Sequence, residues 1–141
     1  MKRVGGAIAP EVRPETTGAP ARGNSVQAVG RHLILELWGC SNLNSVEVVE
    51  RALRETVEAC NTTLLDLRVY PFTPIGVTGV AIVTESHIMI HTWPEHGYAA
   101  VDVFTCGAHT NPSDALPVLR RHFAPERVQV MEMTRGIIGS A

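Results

Sequence analysis

The sequence predicts an α+β domain in which two helices pack on one face of a largely antiparallel sheet. The first observation behind this prediction is the order of the elements, which is strand, helix, three or four strands, helix and strand. The second is the spacing of apolar residues, which recur at every second position in the strand segments and at helical spacing in the helix segments. The third is size, because 141 residues with 45% hydrophobic content suit one domain with a sizeable core.

Residues 1–29 are predicted to form a flexible leader, and residues 30–141 the folded domain. The stretch from Met1 to Gly30 contains five glycines and three prolines but no leucine and no aromatic residue. Such a segment buries too little apolar surface to offset the entropy lost on ordering it.

The first strand is predicted over His32–Trp38, because leucine occupies every second position there. A helix should follow and extend to about Cys60. Asn44 is the expected N-cap of this helix, and Glu47 would complete a capping box three residues later.

Further strands are predicted over Thr62–Tyr70 and Val80–Thr84, both rich in β-branched residues or leucine. The next two strands, Ile88–Thr92 and Tyr98–Thr105, flank the break Trp-Pro-Glu-His-Gly and should form a hairpin.

The last part of the chain is predicted to contain one helix and one strand. Ser113 is the expected cap of a helix from Asp114 to about Phe123. The strand should cover Val128–Thr134 and leave Gly136–Ala141 as a tail.

Charge and cysteine content narrow the choice of partners. The formal net charge is −2 without a cluster of Lys or Arg, so nucleic acid and anionic membranes are not expected as partners. No stretch approaches the roughly 18 apolar residues of a membrane span. The three cysteines include no CxxC pair, which argues against a disulfide framework or a four-cysteine zinc site and favours a cytoplasmic protein.

Reactive side chains concentrate between Thr84 and Gly107. These 24 residues hold one serine, three of the six histidines, three carboxylates, a tryptophan and one cysteine. The predicted hairpin would bring the Ser86 end of this stretch close to the Cys106 end. We therefore expect the chemistry here.

Two familiar kinds of site fit these residues poorly. His87 and His91, with Cys106, His96 or His109, could supply nitrogen and sulfur ligands to zinc, but their spacing matches no recognised zinc motif. A serine hydrolase would need an activated serine in a G-x-S-x-G turn, and that motif is absent.

A third use of the serine needs no external substrate. Ser86 Oγ could attack the carbonyl carbon of Glu85, which converts the peptide bond to an ester, and elimination and hydrolysis would leave a pyruvoyl group. His91 is a candidate proton shuttle within the segment. Because Ser86 and His91 are five positions apart, a regular strand would place them on opposite faces, so an irregular backbone is predicted at Glu85–His87. Spacing alone does not choose between the three kinds of chemistry.

The run GVTGVAIVTESHIMIHTWPEHGYAAVDVFTCG, from Gly76 to Gly107, resembles the processing and active-site region of the prokaryotic S-adenosylmethionine decarboxylase proenzymes, which are pyruvoyl-dependent. The run GRHLILELWGC, from Gly30 to Cys40, resembles the first strand of that family. The ESHxxIHTWPE motif is highly specific, and the similarity extends to about Arg135. The resemblance implies an S-adenosylmethionine decarboxylase-like fold.

The resemblance also implies cleavage between Glu85 and Ser86, giving a β chain of residues 1–85 and an α chain of residues 86–141. Ser86 would become the pyruvoyl group that forms a Schiff base with the substrate. His91 matches the histidine that accepts a proton during processing, and Cys106 matches the cysteine that donates a proton in catalysis. Thr78 stands where relatives often carry a serine linked to processing.

Phe72, Trp93 and Glu95 stand at positions that the family uses around its substrate. Their chemistry fits S-adenosylmethionine, because an aromatic face attracts its sulfonium and stacks on its adenine, and a carboxylate accepts hydrogen bonds from ribose hydroxyls. The alternative for the two aromatic side chains is packing in the core.

The sequence therefore predicts a self-processing enzyme that converts S-adenosylmethionine to its decarboxylated form and CO2 for spermidine biosynthesis. Neither pyridoxal phosphate nor a metal ion is expected, and the resemblance implies a homodimer of αβ units. One alternative is a pyruvoyl-dependent decarboxylase of arginine or ornithine, and another is a metal-binding module that does not cleave itself. Phe72, Trp93 and Glu95 together favour the nucleoside substrate, since an aliphatic amino acid has no ring to stack.

Overall fold

A computed structural model of the chain describes residues 26–140. The main elements are β1 (Val26–Trp38), α1 (Val46–Ala59), β2 (Leu64–Pro71), β3 (Val77–Val83), β4 (Ser86–Trp93), β5 (Tyr98–Cys106), α2 (Ala115–Phe123) and β6 (Arg127–Ser140). Short 3-10 helices at Pro94–His96 and Pro112–Asp114 lie between β4 and β5 and before α2.

The six strands form one sheet in the order β2-β3-β4-β5-β1-β6, and every neighbouring pair is antiparallel. Both helices contribute to a single core with the inward residues of the strands, so they lie on the same face. The predicted α+β class, with two helices on one face of an antiparallel sheet, is confirmed.

The core depends on close packing of α1 against the sheet. Alternate residues of β1, among them Leu35 and Leu37, are fully buried and face the helices. Gly79 of β3 lies where α1 crosses, because a Cβ there would be 2.6 Å from Leu53 Cδ1. A side chain at this position would force the Leu53 side chain of α1 to shift.

Strands β1 and β6, which pair at one side of the sheet, are both longer than predicted. Strand β1 begins at Val26, four residues before the expected domain boundary at Gly30, and the rest of the predicted leader lies outside the described residues. Strand β6 continues to Ser140, so the expected tail is strand up to that residue. The two extensions pair with each other, beginning with Val26 opposite Ser140. Each is a strand because of this pairing between distant segments, so neither has a strand pattern in its own sequence.

Both predicted helix caps are wrong. Ser45, not Asn44, caps α1, because Ser45 Oγ accepts a hydrogen bond from the amide of Val48 at 3.2 Å. Ser113 lies inside a 3-10 helix that begins at a proline, and α2 starts without a side-chain cap. At α1 a tertiary contact separates the two candidates, because the Asn44 side chain accepts a hydrogen bond from the amide of Gly76 instead of capping the helix.

The second face of the sheet is not covered by any element of residues 26–140. It exposes large apolar side chains, including Tyr70, Ile82, Met131 and Met133, with between 45% and 64% of their surface accessible. We call this surface the open face. Neither of the helices described is long and apolar enough to span a membrane.

Candidate active site

Ser86 is the first residue of β4 and follows a two-residue turn, Thr84–Glu85. Its φ is 136°, a value that side chains with a Cβ rarely adopt. Backbone in such a region typically stores about 1–3 kcal/mol of strain. The irregular backbone predicted at Glu85–His87 is therefore confirmed, and it falls at the peptide bond expected to be cut.

The carbonyl of that peptide bond is held by the opposite strand. The main-chain amide of Cys106 donates a hydrogen bond of 2.9 Å to the carbonyl oxygen of Glu85, and Ser86 pairs with Thr105 in the sheet register. The predicted hairpin thus brings the Ser86 and Cys106 ends together. A donor in this position polarises the carbonyl and can stabilise an oxyanion formed on it.

The side chain of Glu85 is buried, with only 4% of the residue exposed, and its carboxylate is fully engaged. One oxygen accepts hydrogen bonds from the Thr84 hydroxyl (2.7 Å) and the Thr63 amide (3.1 Å), and the other lies 3.4 Å from His109 Nε2. Burial raises the pKa of Glu85, but the hydrogen bonds outweigh it and bring the pKa below its ordinary value.

The sequence suggests His109 only as a possible zinc ligand. Its contact with Glu85 spans 24 positions and comes from a loop after β5. No local pattern signals such a contact.

A pocket of about 360 Å³ lies at the other end of β4. It contains all three predicted substrate residues, Phe72, Trp93 and Glu95, together with the two predicted processing residues, Thr78 and His91. Phe72 and Trp93 are 56% and 39% exposed, so neither is a core residue. The pocket is completed by three residues that sequence reasoning missed: Ile75, Gly76 and Thr92.

Two contacts organise the side chains of this pocket. Thr78 and His91 face each other across β3 and β4, with Thr78 Oγ1 2.9 Å from His91 Nδ1. This bond fixes the orientation of the His91 ring. Trp93 stacks on Tyr98, with ring centroids 5.3 Å apart.

The predicted site residues therefore fall into two separate groups within one chain. Ser86 follows the turn between β3 and β4, and Cys106 lies beside that turn at the end of β5. His91 and Trp93 lie towards the loop between β4 and β5. Five residues of extended strand span roughly 16 Å. The expectation that His91 reaches Ser86 within its own segment is wrong for a single chain, because this length of strand β4 separates the two residues.

The open face also carries a polar cluster beside Ser86. His32 Nε2 lies 3.1 Å from Asp102 Oδ1, and the Arg135 guanidinium lies 4.5 Å above the Phe104 ring. Burial, together with the nearby His32, lowers the pKa of His87. Within residues 26–140, no group of three or more His, Cys, Asp or Glu side chains is arranged to hold a metal ion.

The three cysteines are all free. Burial raises the pKa of Cys40 to about 11 and that of Cys60 to about 12. Both thiols therefore stay protonated and unreactive at neutral pH, whereas the half-buried Cys106 lies at the candidate cleavage site.

Comparison with known proteins supports one family. A family model described as S-adenosylmethionine decarboxylase matches residues 31–136. The S-adenosylmethionine decarboxylase proenzyme of Thermomicrobium roseum is 59% identical over 114 residues, which cover 80% of this chain and 98% of that protein. The proenzyme of the same name from Methanococcus maripaludis is 50% identical over 115 residues, covering 80% and 94%.

The fold is similar to a solved structure of the same name. The crystal structure of the adenosylmethionine decarboxylase from Aquifex aeolicus superposes with a TM-score of 0.74 at 36% identity. The match covers 80% of this chain and 95% of that one.

Proposed function

The chain belongs to the S-adenosylmethionine decarboxylase family, and we propose that it cleaves itself between Glu85 and Ser86 to make its own pyruvoyl group. Its activity is the conversion of S-adenosylmethionine to decarboxylated S-adenosylmethionine and CO2, which supplies the aminopropyl donor for spermidine. The observation that carries the self-cleavage is the hydrogen bond from the Cys106 amide to the Glu85 carbonyl, beside a serine with strained φ.

The cleavage needs only residues of this chain and one water molecule. Ser86 Oγ attacks the polarised Glu85 carbonyl carbon and loses its proton to a base, and breakage of the C–N bond leaves an ester and a free amine. Loss of the Cα proton of Ser86 then expels the Glu85 carboxylate, and water replaces the nitrogen, which leaves as ammonia. The strain at Ser86 favours the first step, because breaking the peptide bond releases it.

The pyruvoyl group supplies a ketone that takes the substrate amino group and accepts the electrons left behind when CO2 departs. Cys106 is placed beside it and donates a proton to the carbon that loses CO2. Phe72 and Trp93 offer exposed aromatic faces to the adenine and the sulfonium, and Glu95 accepts hydrogen bonds from the ribose hydroxyls.

We propose that the working unit is a homodimer with shared active sites. The two groups of site residues lie at opposite ends of β4, so one chain cannot bring them to one substrate. A twofold dimer packed through the open faces would set the Ser86 end of one copy against the pocket of the other. This arrangement would also cover the apolar side chains of the open face.

We also propose a substrate class, a cofactor and a compartment for this enzyme. The exposed aromatic pair in the pocket argues against arginine or ornithine as substrate, since neither has a ring to stack. Neither pyridoxal phosphate nor a metal ion is proposed, because the ketone of the pyruvoyl group is itself the electron sink for decarboxylation. Three free cysteines fit a reducing cytoplasm.

The proposal is tested by intact mass and by CO2 release. Denaturing mass spectrometry of the purified protein should give two fragments, residues 1–85 and a pyruvoyl-blocked 86–141. Labelled S-adenosylmethionine should then release CO2, whereas labelled arginine and ornithine should not. A single unbroken chain, or release from arginine or ornithine instead, would reject it.

A further inference from the structure

Asn44 makes a contact that the predicted helix cap does not explain. Its Oδ1 accepts a hydrogen bond of 2.9 Å from the main-chain amide of Gly76, 32 positions away. The cap of α1 is the next residue, Ser45, so Asn44 has no part in capping. The bond instead joins the segment before α1 to the loop between β2 and β3.

That loop forms one side of the pocket. Phe72 and Gly76 are its two ends, and the amide of Phe72 donates a hydrogen bond of 2.8 Å to the carbonyl of Gly76. Gly76 is buried and has φ of 107°, and a Cβ there would lie 3.2 Å from the carbonyl oxygen of Thr92. Gly76 is thus bonded to Phe72 through its carbonyl and to Asn44 through its amide.

A second hydrogen bond links the same segment to the pocket. The hydroxyl of Thr92 donates to the carbonyl of Leu43 at 2.7 Å and accepts from the amide of Val77 at 2.8 Å. Thr92 and Gly76 both line the pocket, and Leu43 and Asn44 are consecutive. The segment before α1 therefore braces two walls of the pocket.

We propose that Asn44 is a positioning residue for S-adenosylmethionine, acting through Gly76 to hold Phe72 in place. The inference rests on the proposed function, in which Phe72 stacks on the substrate. Without the bond, the loop must be ordered by the substrate when it binds, which weakens binding. The bonds of Asn44 act on the loop that carries Phe72 and not on Ser86 or Cys106, so the chemical step is expected to be unaffected.

The test compares three variants after processing, with rates expressed per pyruvoyl group. Asn44→Ala should raise KM for S-adenosylmethionine by about fivefold, the effect of one hydrogen bond, and change kcat less than twofold. Asn44→Asp keeps the accepting oxygen and should restore KM to near the wild-type value. Ser45→Ala removes the true cap of α1, so it should lower the thermal midpoint while KM stays unchanged.

An unchanged KM in Asn44→Ala, with an active wild type, would overturn this inference alone. A rise in KM of the same size in Ser45→Ala would also overturn it, because the effect would then reflect general destabilisation. If the wild type releases no CO2 from S-adenosylmethionine, the inference and the proposed function both fail. If Asn44→Ala does not fold, Asn44→Gln replaces it in the test. Its amide oxygen is one methylene further out, so KM should again rise, and an unchanged KM would overturn the inference.

Discussion

The amide nitrogen of Cys106 lies 2.9 Å from the carbonyl oxygen of Glu85, so one residue serves both proposed stages of the chemistry through different atoms. In the proposed mechanism, its main chain polarises the peptide bond that is cut, and its side chain donates the proton during turnover. Substituting the side chain leaves the main-chain donor in place. The two stages can therefore be separated by mutation.

Cys106→Ala should still split into two fragments but should lose CO2 release by at least about 100-fold, the usual contribution of a proton donor. Mass spectrometry and the CO2 assay check the two stages. Cys40→Ser is the matched control, since the Cys40 thiol is protonated and outside both groups of site residues, and it should keep its activity. An active Cys106→Ala would remove the thiol from the mechanism.

Ser86→Ala should remain a single chain of 141 residues, because no hydroxyl is available to attack the Glu85 carbonyl. Ser113→Ala removes an exposed serine that caps nothing and should process like the wild type. Intact mass after prolonged incubation is the measurement. Splitting of Ser86→Ala at the same bond would show that another group is the nucleophile.

Two defective chains should rescue each other if the active sites are shared. His91→Ala alone should process about 100-fold more slowly or worse, because it lacks the proton acceptor. Co-expression with Ser86→Ala should restore cleavage of the His91→Ala chains, since the uncut partner supplies an intact His91. Absence of rescue in verified mixed dimers would contradict the shared site.

The Thr78 hydroxyl should matter through His91, whose ring it orients. Thr78→Val keeps the shape but removes the hydrogen bond to Nδ1, and should slow processing about five- to tenfold. Thr78→Ser keeps the hydroxyl and should process at close to the wild-type rate. A time course of fragment formation after synthesis distinguishes them, and equal rates for both variants would exclude the role.

Protonation of Glu85 at low pH should lower the free energy of unfolding. Its pKa is lowered in the folded state, so its stabilising contribution is fully present above the unfolded value of about 4.3 and is lost as pH falls through the lower folded value. In the uncut Ser86→Ala background, Glu85→Gln should cost roughly 1–3 kcal/mol at pH 7 and progressively less below pH 4.

Urea unfolding at several pH values measures this difference. The exposed Glu58 provides the control, because Glu58→Gln should change the unfolding free energy little at any of these pH values. An effect of Glu85→Gln that does not shrink on acidification would mean that the carboxylate charge is not what stabilises the turn.

Local patterns predicted most of the strands, the hairpin and the strained serine, because each depends on residues close in sequence. They failed where distant segments decide the outcome. Ser45 and Asn44 are equally good caps by type, and only the amide of Gly76 on another loop assigns them different roles. Ser86 and His91 belong to one short motif, but both lie in strand β4, where five residues of extended backbone separate them by roughly 16 Å.

The strand order has a consequence for the proposed cleavage into residues 1–85 and 86–141. Reading across the sheet, the two fragments alternate: β2 and β3 belong to the first, β4 and β5 to the second, then β1 to the first and β6 to the second. The proposed cut would therefore remove one covalent link, while three strand ladders between the fragments would remain. Neither fragment could leave without breaking these ladders, so the proposed cleavage would leave the sheet assembled.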